Sequence, residues 1–508
     1  MIPIIDIFAG PGGLAEGFSS ILTDGRRVFD VRLSIEMDAE PFRTLRMRSF
    51  FRQFEPGCVP DDYYRFLQGE IDESCLSEAW PDQASEAEEV TWQATLGECD
   101  HTVVDSRIMK AIEGAQDWLL IGGPPCQAYS RAGIVGNRTK ADYKPEKDER
   151  YRLYKEYIRV LAAHAPSAFV LENVPGMLEV RLDGHRIIDE LMRGLITPAD
   201  FCFREFGSWP EGHRYRLFSL TSGIQGIGCD PRSFIVRTED FGIPQSRHRV
   251  IIVGIRDDID PSRFSPPTSC QQTTLDSAID DLPRIRSGLS KENDSRKSWR
   301  AVFRKIAAEP WLMEVQHIHG RKLKKRIMEV ARQIVSSSPD DTGSAFIQCR
   351  AAPRWNPEWY VDERMKGVCH HTARPHMRSD LHRYLFCTCF AEDARRSPKL
   401  ADFPPSLLPK HKNAGSGDFR DRFRVLIKDM PSWTVLSHLA KDGHSFIHPD
   451  PVQCRSISPR EVARIQTFPD NYFFFGGRTA IFRQIGNAVP PWLARLIAGA
   501  LVEVFNKQ

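Results

Sequence analysis

No stretch of the 508 residues reads as an apolar run long enough to cross a bilayer. The opening Met1-Ile2-Pro3-Ile4-Ile5-Asp6 lacks the basic segment of a secretory leader and meets an acid too soon for one. Net charge is scant, +2, so the chain as a whole is neither a polycation nor a polyanion. Internal repeats, long low-complexity tracts and any defensible nuclease motif are all missing. The 12 cysteines follow no regular spacing, which in a chain this long suggests reduced thiols in a cytosolic protein rather than a disulfide scaffold.

What is present is length and uneven charge. A chain of 508 residues exceeds one ordinary domain, and two lobes are expected. Residues 51–100 hold 13 Asp/Glu against 2 Arg, whereas residues 284–332 hold 14 Lys/Arg against 5 Asp/Glu. The second stretch could meet a polyanion that the first would repel, although a solvated charged face is the plainer reading of each alone.

The most informative segment is Asp117-Trp118-Leu119-Leu120-Ile121 followed by Gly122-Gly123-Pro124-Pro125-Cys126-Gln127. The short apolar run has the length of a buried parallel strand, and the glycines and prolines then impose a stiff loop at its carboxyl end. Ligands of open α/β sheets bind at that edge. A lone cysteine is more often a buried structural thiol, but here rigid backbone presents it on a loop.

Earlier in the chain, residues 3–8 read as a strand, Ala9-Gly10-Pro11-Gly12-Gly13 as a tight turn, and residues 14–22 as a helix. Strand, glycine turn and helix open a nucleotide-type α/β fold, in which glycine lets a ligand approach the backbone. A second strand, residues 28–35, delivers Glu36-Met37-Asp38, an acid where such folds bind a ribose diol. The acidic stretch reads as an insertion on the rim, and Thr102-Val103-Val104 as a third strand ending in Asp105-Ser106. Residues 131–150 read as a loop over the site and residues 151–164 as a helix. Ala168-Phe169-Val170-Leu171 is a further strand, which delivers Glu172 and Asn173 for proton or hydrogen-bond work. In Gln245-Ser246-Arg247-His248-Arg249, extended backbone puts both arginines on one side.

In this order the segments resemble the DNA cytosine-5 methyltransferases. Asp6 through Gly13 looks like the first cofactor motif, Glu36-Met37 the second and Asp105 the third. Gly123-Pro124-Pro125-Cys126-Gln127 looks like the nucleophile motif, and Asp148-Glu149-Arg150 with Leu153 the next. Glu172-Asn173-Val174 is similar to the acidic motif and Gln245-x-Arg247-x-Arg249 to the arginine motif. Arg455 to Glu461 and Gln484 to Pro491 resemble the last two. The long acidic insertion between the second and third motifs departs from the pattern.

The resemblance implies a Rossmann-like α/β domain with a doubly wound, mostly parallel sheet that uses S-adenosylmethionine, and a second, smaller target-recognition domain. The expected division is residues 1–265 for catalysis and cofactor (acidic insertion about 50–100), 266–454 for target recognition, and 455–508 returning to the first domain. It implies Cys126, Glu172, Arg247 and Arg249 as catalytic. It implies Phe8, Ala9, Gly10, Gly12, Gly13, Glu36, Met37, Asp105, Ser106, Pro124, Leu153, Asn487 and Val489 as cofactor-binding. The expected partners are double-stranded DNA, bound by a monomer, and a cognate restriction endonuclease, in the bacterial cytoplasm and at the nucleoid. A catalytically inactive DNA-binding subunit and an RNA cytosine-5 methyltransferase are the alternatives. No membrane association and no metal are expected: Cys349, Cys369, His370, His371, Cys387 and Cys389 are too irregularly spaced for a zinc knuckle. They read instead as buried thiols and DNA-facing histidines.

Two closing features are local. Ser458-Pro459-x-Glu461 is a capping box with proline at the first helical position, and residues 492–505 read as an amphipathic core helix. Ser265-Pro266-Pro267-Thr268 breaks the first lobe, and residues 257–267 read as the interdomain linker.

Overall fold

The computed structural model describes the chain apart from residues 126–152, 183–184, 226–228, 410–421 and 506–508. Two compact units emerge: residues 1–60, 73–271 and 487–508 form the first, and residues 61–72 and 272–486 the second. Each is discontinuous. The expected rim insertion is therefore divided, with 61–72 in the second unit, and only the last part of 455–508 belongs to the first.

The first unit is built on a nine-stranded sheet. In chain order its elements are β1 (Ile2–Ile7), α1 (Gly13–Ser19), β2 (Phe29–Glu36), α2 (Ala39–Arg52), β3 (Thr91–Gln93), α3 (His101–Ala111) and β4 (Leu119–Gly122). There follow α4 (Leu153–His164), β5 (Ala168–Asn173), α5 (Ile187–Ile196), α6 (Pro198–Phe206), β6 (Tyr215–Ser219), β7 (Gly223–Gln225), β8 (Ile235–Arg237) and β9 (His248–Arg256). The order across the sheet is β7-β6-β9-β5-β4-β1-β2-β3, with β8 also on β9. The five strands from β5 to β3 pair in parallel, and β9 runs antiparallel against β5 and β6. The chain departs in opposite directions from β1, making the carboxyl ends of β1 and β4 the topological switch point.

Period-two alternation explains the two covered faces. Ile5, Ile7, Leu120, Phe169, Leu171 and Ile252 point into a core with α3, α4 and α5. Ile4, Leu119, Ile121, Val170, Ile251 and Val253 point into another with α1 and the C-terminal helix. Phe264 is buried in that second core and meets Phe218 edge-on at 5.0 Å. The segment expected as linker thus still belongs to the first unit, and the division falls at 271/272.

One strand was misplaced by sequence. Residues 101–111 form α3, because the Asp100 side chain accepts from the Thr102 amide at 2.8 Å and caps a helix there. The strand lies earlier, at Thr91–Gln93, pairing with Ser34–Glu36 at the sheet edge. Asp105 consequently sits within a helix. Its carboxylate is taken by the buried Arg159, at 2.8 and 3.0 Å, and by His164 at 2.8 Å. Asp105→Asn should lower the melting temperature by a few degrees and leave affinity for the cofactor that the resemblance implies, S-adenosylmethionine, unchanged. Differential scanning fluorimetry and calorimetric titration check the two halves; a large loss of cofactor affinity would contradict the structural role.

In the second unit are α7 (Arg296–Arg304), α8 (Pro310–Ser337), the hairpin β10 (Gly343–Gln348) and β11 (Gly367–Thr372), α9 (Arg378–Ala394), α10 (Pro459–Ile465) and α11 (Arg478–Asn487), whose last residue belongs to the first. α8 is broken at Gly320, where φ is +87°. Helix Asp61–Gln68 joins this unit through Tyr63 and Tyr64, whose hydroxyls donate to Asn471 O at 3.0 Å and Asp362 Oδ2 at 2.7 Å.

The stretch 478–505 has the length and hydropathy of a membrane span. It is interrupted after residue 487, and its second part, α12 (Pro491–Phe505), is a core helix. Leu493, Ala494, Ile497, Ala498 and Leu501 recur at helical spacing and are buried against the first unit's sheet and α1. Contact with α1 is close: a Cβ on Gly13 would lie 2.3 Å from Val489 O, and one on Gly17 would lie 2.3 Å from Pro491 O.

Candidate active site

The turn after β1 is shaped by positive φ at Phe8 (+57°), Gly10 (+57°) and Gly12 (+90°). Glycine suits two of these positions, and Phe8 is held there by the amide of Ala9 donating to Ile35 O at 3.0 Å. A Cβ at Gly10 would meet open space, leaving that face of the turn approachable. Glu36, at the end of β2, receives the Gly10 and Asp38 amides at 2.8 Å each. Burial pushes its carboxyl above the usual range, and these amides partly offset that. Gln93 of β3 donates to Met37 O at 3.2 Å, and the Ala94 amide to Glu36 O at 3.1 Å. The third parallel strand thus delivers Gln93 and Ala94 beside Glu36, a placement hidden because β3 is only three residues inside an aperiodic stretch.

The other half of the site gathers around the loop after β4. Glu172, next to last in β5, has Oε1 at 2.9 Å from Arg249 Nε. Its other oxygen would lie 2.8 Å from a Cβ at Gly123, so only glycine leaves the carboxylate room there. Asn173 Nδ2 donates to Pro124 O at 3.2 Å. Neighbouring residues on β5 therefore place one carboxylate against the loop and tie the loop down. Cys126 follows two residues later and lies outside the described residues, as do Asp148, Glu149 and Arg150.

Arg247 and Arg249 are both buried, yet they serve different neighbours. Arg247 Nη2 donates to Ala488 O at 3.0 Å, between Asn487 and Val489. Arg249 stands at Glu172. The structure thus brings together Phe8 to Gly13 with Glu36 and Met37, Glu172 with Arg249, and Val489 with Gly13. Leu153 packs at Gly97, its Cδ2 3.1 Å from a Cβ placed there. Asp105 and Ser106 stand apart on α3.

A match to the family model of C-5 cytosine-specific DNA methylases extends over residues 72–192 and 220–503. The chain belongs to this family. It is 29% identical over 525 residues to the type II methyltransferase M.Bpa9945I of Bacillus paralicheniformis, covering 99% of each. It is 24% identical over 444 residues to the DNA (cytosine-5-)-methyltransferase M.ApeKI of Aeropyrum pernix, covering 81% of this chain and 86% of the other. A solved E. coli structure, described as a prophage-encoded DNA modification methyltransferase, superposes with TM-score 0.53 at 18% identity over the whole of both chains. The methylase is thus a DNA (cytosine-5-)-methyltransferase with an α/β methyltransferase fold. S-Adenosylmethionine is its methyl donor. The turn fits that group: an approachable glycine face lies beside an acid anchored to accept from a diol.

Below the turn lies an unusual acid. Asp6 and its register partner Ser34 are fully buried, and among the described residues Asp6 Oδ1, Asp6 Oδ2 and Ser34 Oγ lack hydrogen-bond partners. Burial pushes the Asp6 carboxyl up to about 8, opposed by Arg52 and reinforced by Glu36. A raised folded-state value means that the native methylase binds this proton more tightly than the unfolded chain. Its stabilising contribution is complete below about pH 4 and is lost as pH rises through about 8. Asp6→Asn, which cannot ionise, should therefore gain on wild type by a few degrees of melting temperature between pH 5 and pH 9. A constant difference across that range would contradict a buried neutral acid.

The second unit corrects two readings from sequence. His371 is buried, its ring nitrogens 2.8 Å from Ser458 Oγ and 2.7 Å from Pro283 O, and His370 Nε2 accepts the Phe474 amide at 3.1 Å. Both face inward rather than toward DNA. Cys369 donates to Leu67 O at 3.2 Å, while Cys349 contacts Asp281 O at 3.7 Å. The His/Cys set therefore does not converge among the described residues. His376, Asp380 and His444 do converge, but Tyr384 OH lies 2.8 Å from His444 Nδ1 and Arg383 pairs with Asp380 at 2.8 Å.

The basic stretch is also partly neutralised. Lys322 pairs with Asp393, Arg326 with Glu392 at 2.9 Å, Arg286 with Asp294 at 2.9 Å, and Arg296 with Asp340. Elsewhere in the unit Arg354, Arg364 and Arg378 pair with Asp276, Asp61 and Glu292.

Proposed function

We propose that the methylase acts on a cytosine extruded from specific duplex DNA, through a covalent adduct with Cys126. Carbon 5 of cytosine is a poor nucleophile. Addition of the Cys126 thiolate to carbon 6 moves electron density to carbon 5. The cofactor supplies an electrophilic methyl group to that carbon. A base then takes the carbon 5 proton, and its bonding pair re-forms the ring double bond as the Cys126 thiolate leaves carbon 6. This restores the enzyme and leaves the demethylated cofactor as the second product. Glu172 stabilises the adduct by a hydrogen bond or proton at N3 and holds the exocyclic amine. Arg249 orients Glu172 and bonds the O2 side. Arg247 acts on the segment 487–489, which closes the methionine end of the cofactor pocket, while Glu36 accepts from the ribose hydroxyls. Extrusion of the base follows from the general behaviour of enzymes that perform chemistry on stacked bases.

The observation supporting this reading most is the Glu172 carboxylate, 2.9 Å from Arg249 and against Gly123, three residues before the cysteine. Incubating the enzyme with labelled cofactor and either duplex DNA or transfer RNA tests it. Label on DNA and a denaturation-resistant adduct with 5-fluorocytosine duplex are expected. Label on RNA alone would reject the DNA reading, and DNA binding without label would favour a catalytically inactive subunit. The proposed setting is a restriction-modification system in the bacterial cytoplasm, with the enzyme monomeric on nucleoid DNA beside a cognate endonuclease. Methylome sequencing of an expressing host would reveal the target.

A further inference from the structure

The arginines paired above mostly have a carboxylate; one group in the second unit does not. Arg478 opens α11 and its Nη2 donates to Ala373 O at 3.0 Å and Thr372 Oγ1 at 3.4 Å. The next residue along that strap, Arg374, donates from Nη2 to Ala440 O at 2.7 Å and from Nη1 to Lys441 O. Arg374 on the strap and Arg478 bonded to it are thus both half-buried, and the residue whose carbonyl Arg374 meets, Lys441, is exposed. Among the described residues none of the three cations has a carboxylate within ion-pair distance. Asp442, next to Lys441 in sequence, acts on Arg374 beyond ion-pair distance, while it pairs with Arg422 at 3.3 Å and receives the His444 amide at 3.0 Å. The Nε of Arg478 is buried without a hydrogen-bond partner among the described residues. Burial and the neighbouring Arg374 both lower the Arg478 pKa.

Backbone carbonyls orient these guanidiniums but cannot neutralise them, and arginine does not shed its proton to escape. Cations held close and partly out of water are favourable only when an anion joins them. The anion must offer several acceptor oxygens, stay charged at neutral pH and reach a half-buried strap. A phosphodiester group meets all three conditions. We propose that Arg374, Arg478 and Lys441 seat one backbone phosphate of the DNA substrate. The proposal rests on the DNA reading above and assigns residues within it.

The test is binding of a fluorescein-labelled, mixed-sequence 30-bp duplex to the full chain across 50–300 mM NaCl. Arg374→Ala, Arg478→Ala and Lys441→Ala should each weaken binding about three- to tenfold at 100 mM salt. Each should also reduce the slope of log affinity against log salt by about 0.9. Arg374→Lys should restore the slope, and Arg395→Ala, which removes a cation paired with Asp429, should leave it unchanged. S-Adenosylmethionine affinity should not move. If the arginine variants fail to fold, Lys441→Ala, whose side chain is exposed, decides alone. Wild-type slopes in the folded variants, with DNA binding intact in the parent, would overturn the seat only. A parent binding transfer RNA but not duplex DNA would overturn the DNA reading and the ligand with it.

Discussion

Cys126→Ser is expected to reduce methyl transfer by several powers of ten while leaving cofactor and DNA affinity close to wild type. A hydroxyl is far less acidic than a thiol, whose ordinary pKa is about 8.5, so it presents almost no anion to carbon 6 at neutral pH. The loss should fall on kcat rather than KM, because the missing bond forms only along the reaction path. Single-turnover kinetics with labelled cofactor measure it, and 5-fluorocytosine duplex should trap only the wild type. A variant retaining a tenth or more of wild-type turnover would reject the covalent route. Substitution at Gly123 should not imitate this pattern, since any side chain there displaces the Glu172 carboxylate instead.

The largest stability effect is expected at Glu461. Both of its oxygens are engaged by Arg455, at 2.6 and 2.7 Å, and Oε2 also receives the Ser458 amide at 2.6 Å. His448 Nε2 lies 3.4 Å from Oε1. Burial alone would raise the Glu461 carboxyl, but Arg455 and His448 outweigh it and hold the group well below the carboxylate range. Glu461→Gln leaves the guanidinium of Arg455 buried without its counter-charge, a loss of about 3–5 kcal/mol. That corresponds to roughly 10 °C in the melting of the second unit. The depressed pKa also fixes the sign with pH: this stabilisation is present above about pH 4.5 and is lost as pH falls below it, so the gap between variant and wild type should close in acid. A gap independent of pH would mean that the ion pair is not its source.

Much of the first unit was legible because its signals are local. β1, its glycine turn and α1 show a change of period within twenty residues, and Glu36 follows the next strand directly. The capping box at Ser458 was equally clear: Ser458 Oγ accepts the Glu461 amide at 3.2 Å. Other features depend on partners distant in the chain. Nothing near Arg247 announces the carbonyl of Ala488, 241 residues away. The charges of α8 look available until α9 places Asp393 and Glu392 opposite them, 71 and 66 residues later. Thr102-Val103-Val104 looked like a strand on β-branched composition, but a single cap at Asp100 outweighed propensity.

The meeting of α1 with α12 constrains synthesis. Gly13 and Gly17 are matched to carbonyls that the ribosome adds some 475 positions later. The second unit of a nascent chain can mature first, whereas the first unit waits for its last helix. A product interrupted before residue 487 should therefore be inert toward the genome, and activity should return when residues 487–508 are supplied in trans as a separate peptide.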